Sequence, residues 1–130
     1  MSNNKVDLAQ LSSLIMANTS TVLGGGALYV GEVHNVLGYT HISGFAFSDV
    51  ASAVNGLIIE QGYQMADFPA GAPASTFVTR SLYGISAGDL DNNALGVQIV
   101  APFARIIYTN GGAAHTSFRL HFAARILRGL

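Results

Sequence analysis

A chain of 130 residues without cysteine has room for one domain with a single core, and it can carry no disulfide framework, thiolate metal site or thiol nucleophile. Six Lys and Arg stand against seven Asp and Glu for a net charge of −1, and the basic residues are scattered, which excludes the clustered cationic footprint of a nucleic-acid binder. Charged residues make up 10% of the chain and hydrophobic ones 50%, against about 25% charged in ordinary domains; a surface so short of charge is read either as a monomer dressed in small residues or, in preference, as a subunit covered by copies of itself or by a larger assembly.

Residues 1–5 are polar. Apolar residues then fall at positions 8, 11, 14 and 15, which is helical spacing, and Asp7 lies where a helix dipole favours a carboxylate. Residues 1–18 are read as an N-terminal arm or a short helix, set apart from a single β-domain over 19–130. Leu14 and Ile15 are candidates for docking on a neighbour. No apolar run approaches the roughly 18 residues of a membrane helix, so no membrane partner is expected. Asp7 and Gln10 interrupt what a signal sequence would need.

From Thr19 onward, short runs rich in β-branched and aromatic residues alternate with Gly, Asn, Asp and Pro clusters. They predict strands near 19–23, 27–36, 40–48, 56–63, 76–84, 96–101, 103–109 and 116–126. Eight short strands without intervening helices predict an all-β fold, a β-sandwich or jelly-roll of about eight antiparallel strands. Met65 to Ser75, with two of the three prolines, is the longest loop, and Ser86 to Asn93 is a second.

The usual signatures of chemistry are thin. Gly24-Gly-Gly26 lacks the Lys-Ser/Thr of a phosphate loop. Glu32, His34 and His41 can meet only if 27–36 and 40–48 pair as a hairpin, and a metal site needs more than such a set. Asp89, Asp91, Asn92 and Asn93 lack the spacing of a calcium loop. No Gly-x-Ser-x-Gly elbow occurs. Asp49, Glu60 and Asp67 are the mid-chain acids, and Glu60 is opposite in parity to Leu57 and Ile59, so it is read as facing solvent or an interface. Neither catalytic residues nor a cofactor or metal is expected.

The stretch ARIIYTNGGAAHTSFRL, Ala104 to Leu120, reads as two strands about a turn at Asn110, Gly111 and Gly112, residues that tolerate positive φ. Phe118, Leu120 and Phe122 form one face and, with Leu57 and Ile59, are the core candidates. Arg105 and Ile107 on the first strand, with Arg119 and His121 on the second, occupy the opposite faces and are the interface candidates. Two arginines there would want an acidic partner, from this chain or the next subunit.

Three pieces in order, GLIIEQGY, VQIVAPFARIIYTNGG and AHTSFRLHF, resemble a pattern recurrent among tailed-phage virion proteins over about residues 56–122. The pattern often continues with an Asp-Gly-x-x-Trp segment; here Gly62 to Phe68 stands instead, without Trp. The resemblance implies a non-enzymatic capsid cement (decoration) protein on the virion surface, a homotrimer bound to the major capsid protein. A tail- or fibre-associated β-module and a carbohydrate-binding β-sandwich are the alternatives.

Overall fold

The computed structural model describes residues 13–89 and 93–126. Among them the chain forms strands β1 (Ser13–Thr19), β2 (Leu28–Val30), β3 (His34–Asn35), β4 (His41–Ser48), β5 (Ser52–Gly62), β6 (Val78–Tyr83), β7 (Ala94–Gln98), β8 (Phe103–Asn110) and β9 (Phe118–Arg125), with one 3-10 turn at Met65–Asp67. Two antiparallel sheets result: a four-stranded one in the order β1-β9-β4-β7, and a five-stranded one in the order β2-β8-β5-β6 with β3 also on β8. Counting β2 and β3 as one interrupted strand, successive strands alternate between the sheets except at β5–β6, as in a double-sheet jelly-roll.

Strand alternation builds the core. In β4, Ile42 and Ala46 point inward while Phe45 and Phe47 are only partly covered. In β9, Phe118, Leu120, Phe122 and Ala124 are buried and Arg119 and Arg125 exposed. From the other sheet, Leu57 and Ile59 of β5 and Ala104, Ile106 and Tyr108 of β8 meet them, with Val36 and Ile85 at the rims.

The Ala104 to Leu120 stretch is not a hairpin. β8 pairs with β2, β3 and β5, and β9 with β1 and β4, so Gly111 to Ser117 carries the chain from one sheet to the other. The physical reason lies in β8, whose two faces are both largely buried, which suits an interior strand flanked on each side. None of Asn110, Gly111 and Gly112 has positive φ. Asn110 instead ties the crossing down: its Nδ2 donates to the carbonyls of Leu23, Gly24 and Ala113 at 3.1, 3.0 and 2.8 Å. Gly111 is needed for space, since a Cβ there would lie 2.4 Å from the Ala51 carbonyl oxygen.

The start of the chain also differs from its sequence pattern. Residues 13–17 belong to an edge strand paired with β9, not to a helix, and the strand ends at Thr19 where one was expected to begin. The spacing of Leu14 and Ile15 suited a helix, but a free sheet edge offers a ladder of partners that a short isolated helix lacks. Residues 1–12, where the rest of the helix or arm was read, lie outside the described residues. The expected strand 27–36 is broken at Gly31, whose N–H donates to the Ile106 carbonyl at 2.8 Å. β5 starts four residues earlier than expected, through a register shift between Ser52 and Leu57 that holds Asn55 at a φ of 52°.

Candidate interaction face

The two outer faces of the sandwich have different fates. On the five-stranded sheet, Glu60 of β5 lies directly opposite Arg105 of β8. Arg105 Nε donates to Glu60 Oε1 at 2.6 Å. Its two Nη groups donate to the carbonyls of Pro69 and Ala72, each at 2.7 Å, and the Ala74 N–H donates to Glu60 Oε2 at 2.6 Å. The guanidinium sits 5.4 Å from the centre of the Phe68 ring. The long Met65 to Ser75 loop is thereby folded over this face. Ile107, on the same strand, is fully buried. Arg105 and Ile107 are therefore not presented to another subunit, and Glu60 faces neither solvent nor an interface; the acidic partner that Arg105 needs comes from this chain.

On the four-stranded sheet the outer face stays open. Phe45 stands opposite His121 and Phe47 opposite Arg119 across the β4–β9 ladder. The Phe45 and His121 rings stack at 6.0 Å. Ile15, opposite Ala123, adds an apolar side chain that is 50% exposed. Toward the β9 start, an open groove of about 520 Å³ is lined by Ser20, Val22, Phe45, Phe47, Thr116 and Arg119 among others. The structure so gathers Ile15, Arg119 and His121, three of the six interface candidates, on one surface. Leu14 is not with them; it turns inward and packs on the core. Phe45 and Phe47 were not singled out in the sequence, although the HISGFAFS alternation places them opposite to Ile42 and Ala46.

One end of the groove is shaped by Asp49. Its carboxylate accepts the N–H groups of Thr116 and Ser117, at 3.0 and 3.1 Å, and the Thr116 hydroxyl. These bonds, the Thr116 hydroxyl first, lower its pKa to about 2. So firm an anion serves as a turn clasp and is a poor proton acceptor for chemistry near neutral pH. Behind the clasp, His115 is buried and stacks on Phe118 with ring centres 4.3 Å apart. Its Nδ1 accepts the Leu23 N–H at 3.2 Å, which leaves the proton of the neutral ring on Nε2. Burial lowers the His115 pKa, against a smaller opposing pull from Asp49.

The other residues considered for chemistry are dispersed. His34 stands on β3 in the five-stranded sheet and His41 on β4 in the other, so the hairpin that would unite them with Glu32 does not form. Among the described residues no three His, Asp or Glu cluster in a way that could hold a metal ion. Asn93 closes its own loop by bonding Ser86 through both amide atoms; Asp91 and Asn92 lie outside the described residues. No protein-family model matches the chain, and neither a curated protein nor a solved structure matches it.

Proposed function

We propose that this protein is a non-enzymatic structural subunit of a virion, a capsid cement (decoration) protein that clamps shell subunits through the outer face of the β1-β9-β4-β7 sheet. One observation carries the reading. Phe45 and Phe47 lie beside Arg119 and His121 on a sheet face that no described segment of the chain covers, while the opposite sheet is closed over by the chain's own loop. Aromatic and arginine side chains on an open surface are the usual anchors of protein interfaces. The jelly-roll arrangement suits the reading as an architecture of viral shells, though it serves lectins as well. The partner is the major capsid protein, and the scarce surface charge fits a chain seated on a lattice.

Two measurements test this. Light scattering at micromolar concentration reads the mass, with three 13.5 kDa chains or a multiple of three expected from the resemblance. Co-sedimentation with emptied tailed-phage shells reads binding. Phe47→Ser and Arg119→Glu should abolish it without changing thermal unfolding. Binding that survives both substitutions would remove this face from the proposal, and failure of the unaltered protein to bind shells would remove the cement role. The groove beside Phe45 and Phe47 is also within the size range of small-molecule sites. Saturable sugar binding lost in Phe47→Ser would favour the carbohydrate-binding alternative.

A further inference from the structure

The four-stranded sheet ends at β7, and the backbone of that strand carries information the side chains do not. Ile99 donates its N–H to the Thr40 carbonyl at 2.8 Å, and the β4–β7 register continues from there through Val97 opposite Ile42 and Leu95 opposite Gly44. In an antiparallel ladder, hydrogen-bonded pairs recur at every second residue. Leu95, Val97 and Ile99 thus bond to β4, and Ala94, Gly96, Gln98 and Val100 turn their amide groups to the open side.

The far part of that open side is already closed. Gln61, reaching across from β5, donates from Nε2 to the Gln98 carbonyl at 3.0 Å and accepts the Val100 N–H on Oε1 at 2.7 Å. Tyr63 donates its hydroxyl to the Val100 carbonyl at 3.1 Å. Gln61 acts here as a one-residue strand. Ala94 and Gly96 receive no such cover among the described residues, and both are exposed.

The other edges carry the devices that natural sheets use against stray pairing. β1 has a register shift between Ile15 and Ala17, β2 is three residues long, and β6 bears the exposed Arg80. β7, with the sequence ALGVQ, has no charge, no proline and no shift. It is also complementary to itself. Laid antiparallel on a second β7 about Gly96, it pairs Gly96 with Gly96 through both N–H···O bonds, and the Gln98 N–H is left to donate to the Ala94 carbonyl of the other copy, the Gln98 carbonyl being held by Gln61. Leu95 then faces Val97 in the intervening close pair, where side chains approach most nearly. Leu95 and Val97 are only partly buried against the core, which leaves part of each side chain for a paired strand to cover.

We propose that β7 is a homotypic docking edge: two copies of this chain join across a two-fold axis at Gly96, making one continuous eight-stranded sheet from the two β1-β9-β4-β7 sheets. This goes beyond the shell-binding face, which it extends side by side from one copy to the next. A cyclic trimer would have to use another surface, and the edge would then link trimers in pairs.

Three experiments on the full chain decide it. The Gly96 amide has no acceptor within the described chain, so in amide exchange its protection should rise with protein concentration; exchange as fast as that of an open-coil amide at several hundred micromolar overturns the proposal. Gly96→Pro removes a donor that the β4 ladder does not use, and should halve the mass read by light scattering while far-UV circular dichroism is kept. An unhalved mass overturns the proposal, as does an unaltered protein found as monomer or trimer. Should proline disturb the strand, Gly96→Lys and Gly96→Glu serve instead, because a Cβ at this position meets only ordinary contacts at 3.7 Å. Each should fail to pair with itself, and the two mixed should pair, since the substituted residues face one another across the axis. A mixture that stays unpaired overturns the assignment. Loss of shell binding in Arg119→Glu leaves all three results unchanged.

Discussion

Glu60 and Arg105 face each other across the β5–β8 ladder as an ion pair of 2.6 Å between side chains that are 0% and 2% exposed. Every remaining bond of the pair goes to the backbone of one loop, at Pro69, Ala72 and Ala74. The pair is the fastening of that loop, and the loop is the roof that lets two charges sit on a sheet face away from water.

Taking away one partner should therefore be costly. Glu60→Ala opens the one loop bond to Ala74 and Arg105→Ala the two to Pro69 and Ala72, and each leaves the other charge buried, with an expected loss of about 3–5 kcal/mol. Denaturant unfolding measures it. A Glu60→Leu, Arg105→Met double variant should recover much of the loss, because burying a charge pair is itself unfavourable. If the single variants unfold at the unaltered midpoint, the fastening role is wrong.

Acid should weaken the fold in two separate windows. His115 has a folded pKa below its ordinary 6.5, through burial, so the unfolded chain binds the proton more readily. The stability linked to it is complete above pH 6.5 and is lost as pH falls toward the folded value. Asp49, lowered from 3.8 to about 2, contributes stability that is complete above 3.8 and is lost on the way down to about 2. Melting temperature against pH should fall in two steps. His115→Phe should erase the upper step and Asp49→Asn the lower one.

Two glycines of the same sheet should respond in opposite ways. A Cβ at Gly44 would lie 1.8 Å from the His121 carbonyl oxygen, inside the β4–β9 ladder. Gly44→Ala must spread that ladder and should cost about 3 kcal/mol or more. Gly96→Ala, with contacts no nearer than 3.7 Å, should stay within about 0.5 kcal/mol. Parallel chemical denaturation of the two variants is the check.

Along β9 the effect of truncation should alternate. Phe118→Ala and Leu120→Ala remove buried side chains and should each cost about 2–5 kcal/mol. Arg119→Ala and His121→Ala, on the open face, should stay within about 0.5 kcal/mol. Equal losses at all four positions would mean that the outer face is covered in the folded monomer.

The two-residue alternation made much of this fold legible. It placed Phe118, Leu120 and Phe122 on one face, with Leu57 and Ile59, and all five are buried between the sheets. It separated Arg119 and His121 from them. What alternation cannot say is which strand lies beside which. Asn110-Gly-Gly112 has the chemistry of a tight turn, and a tight turn and a crossing between sheets draw on the same residues. A hairpin of β8 and β9 would put Arg105 and Arg119 on one surface, whereas they lie on different sheets. Glu60 was placed on the correct side of its strand. Its burial depends on a distant loop of Pro, Ala and Gly, whose sequence announces no preference for a particular surface. The helical spacing over Leu14 and Ile15 yielded to the free edge of β9, a partner more than a hundred residues away in the sequence.

That last pairing governs how the molecule can be made. Among the described residues β1 pairs with β9 alone, and the chain changes sheets at every connection except β2–β3 and β5–β6. Neither sheet is a contiguous stretch of sequence, and an architecture built on such distant pairings folds slowly. During synthesis the first strand emerges without its only neighbour and waits for the last. Until then an uncharged, partly apolar ribbon is free to pair with β9 of another nascent chain, exchanging first strands between molecules. The abundance of glycine turns and the buried Glu60–Arg105 fastening do nothing to prevent this. The safeguard is timing: the rest of the sandwich must be assembled quickly enough that, when β9 appears, the nearest free edge belongs to its own chain.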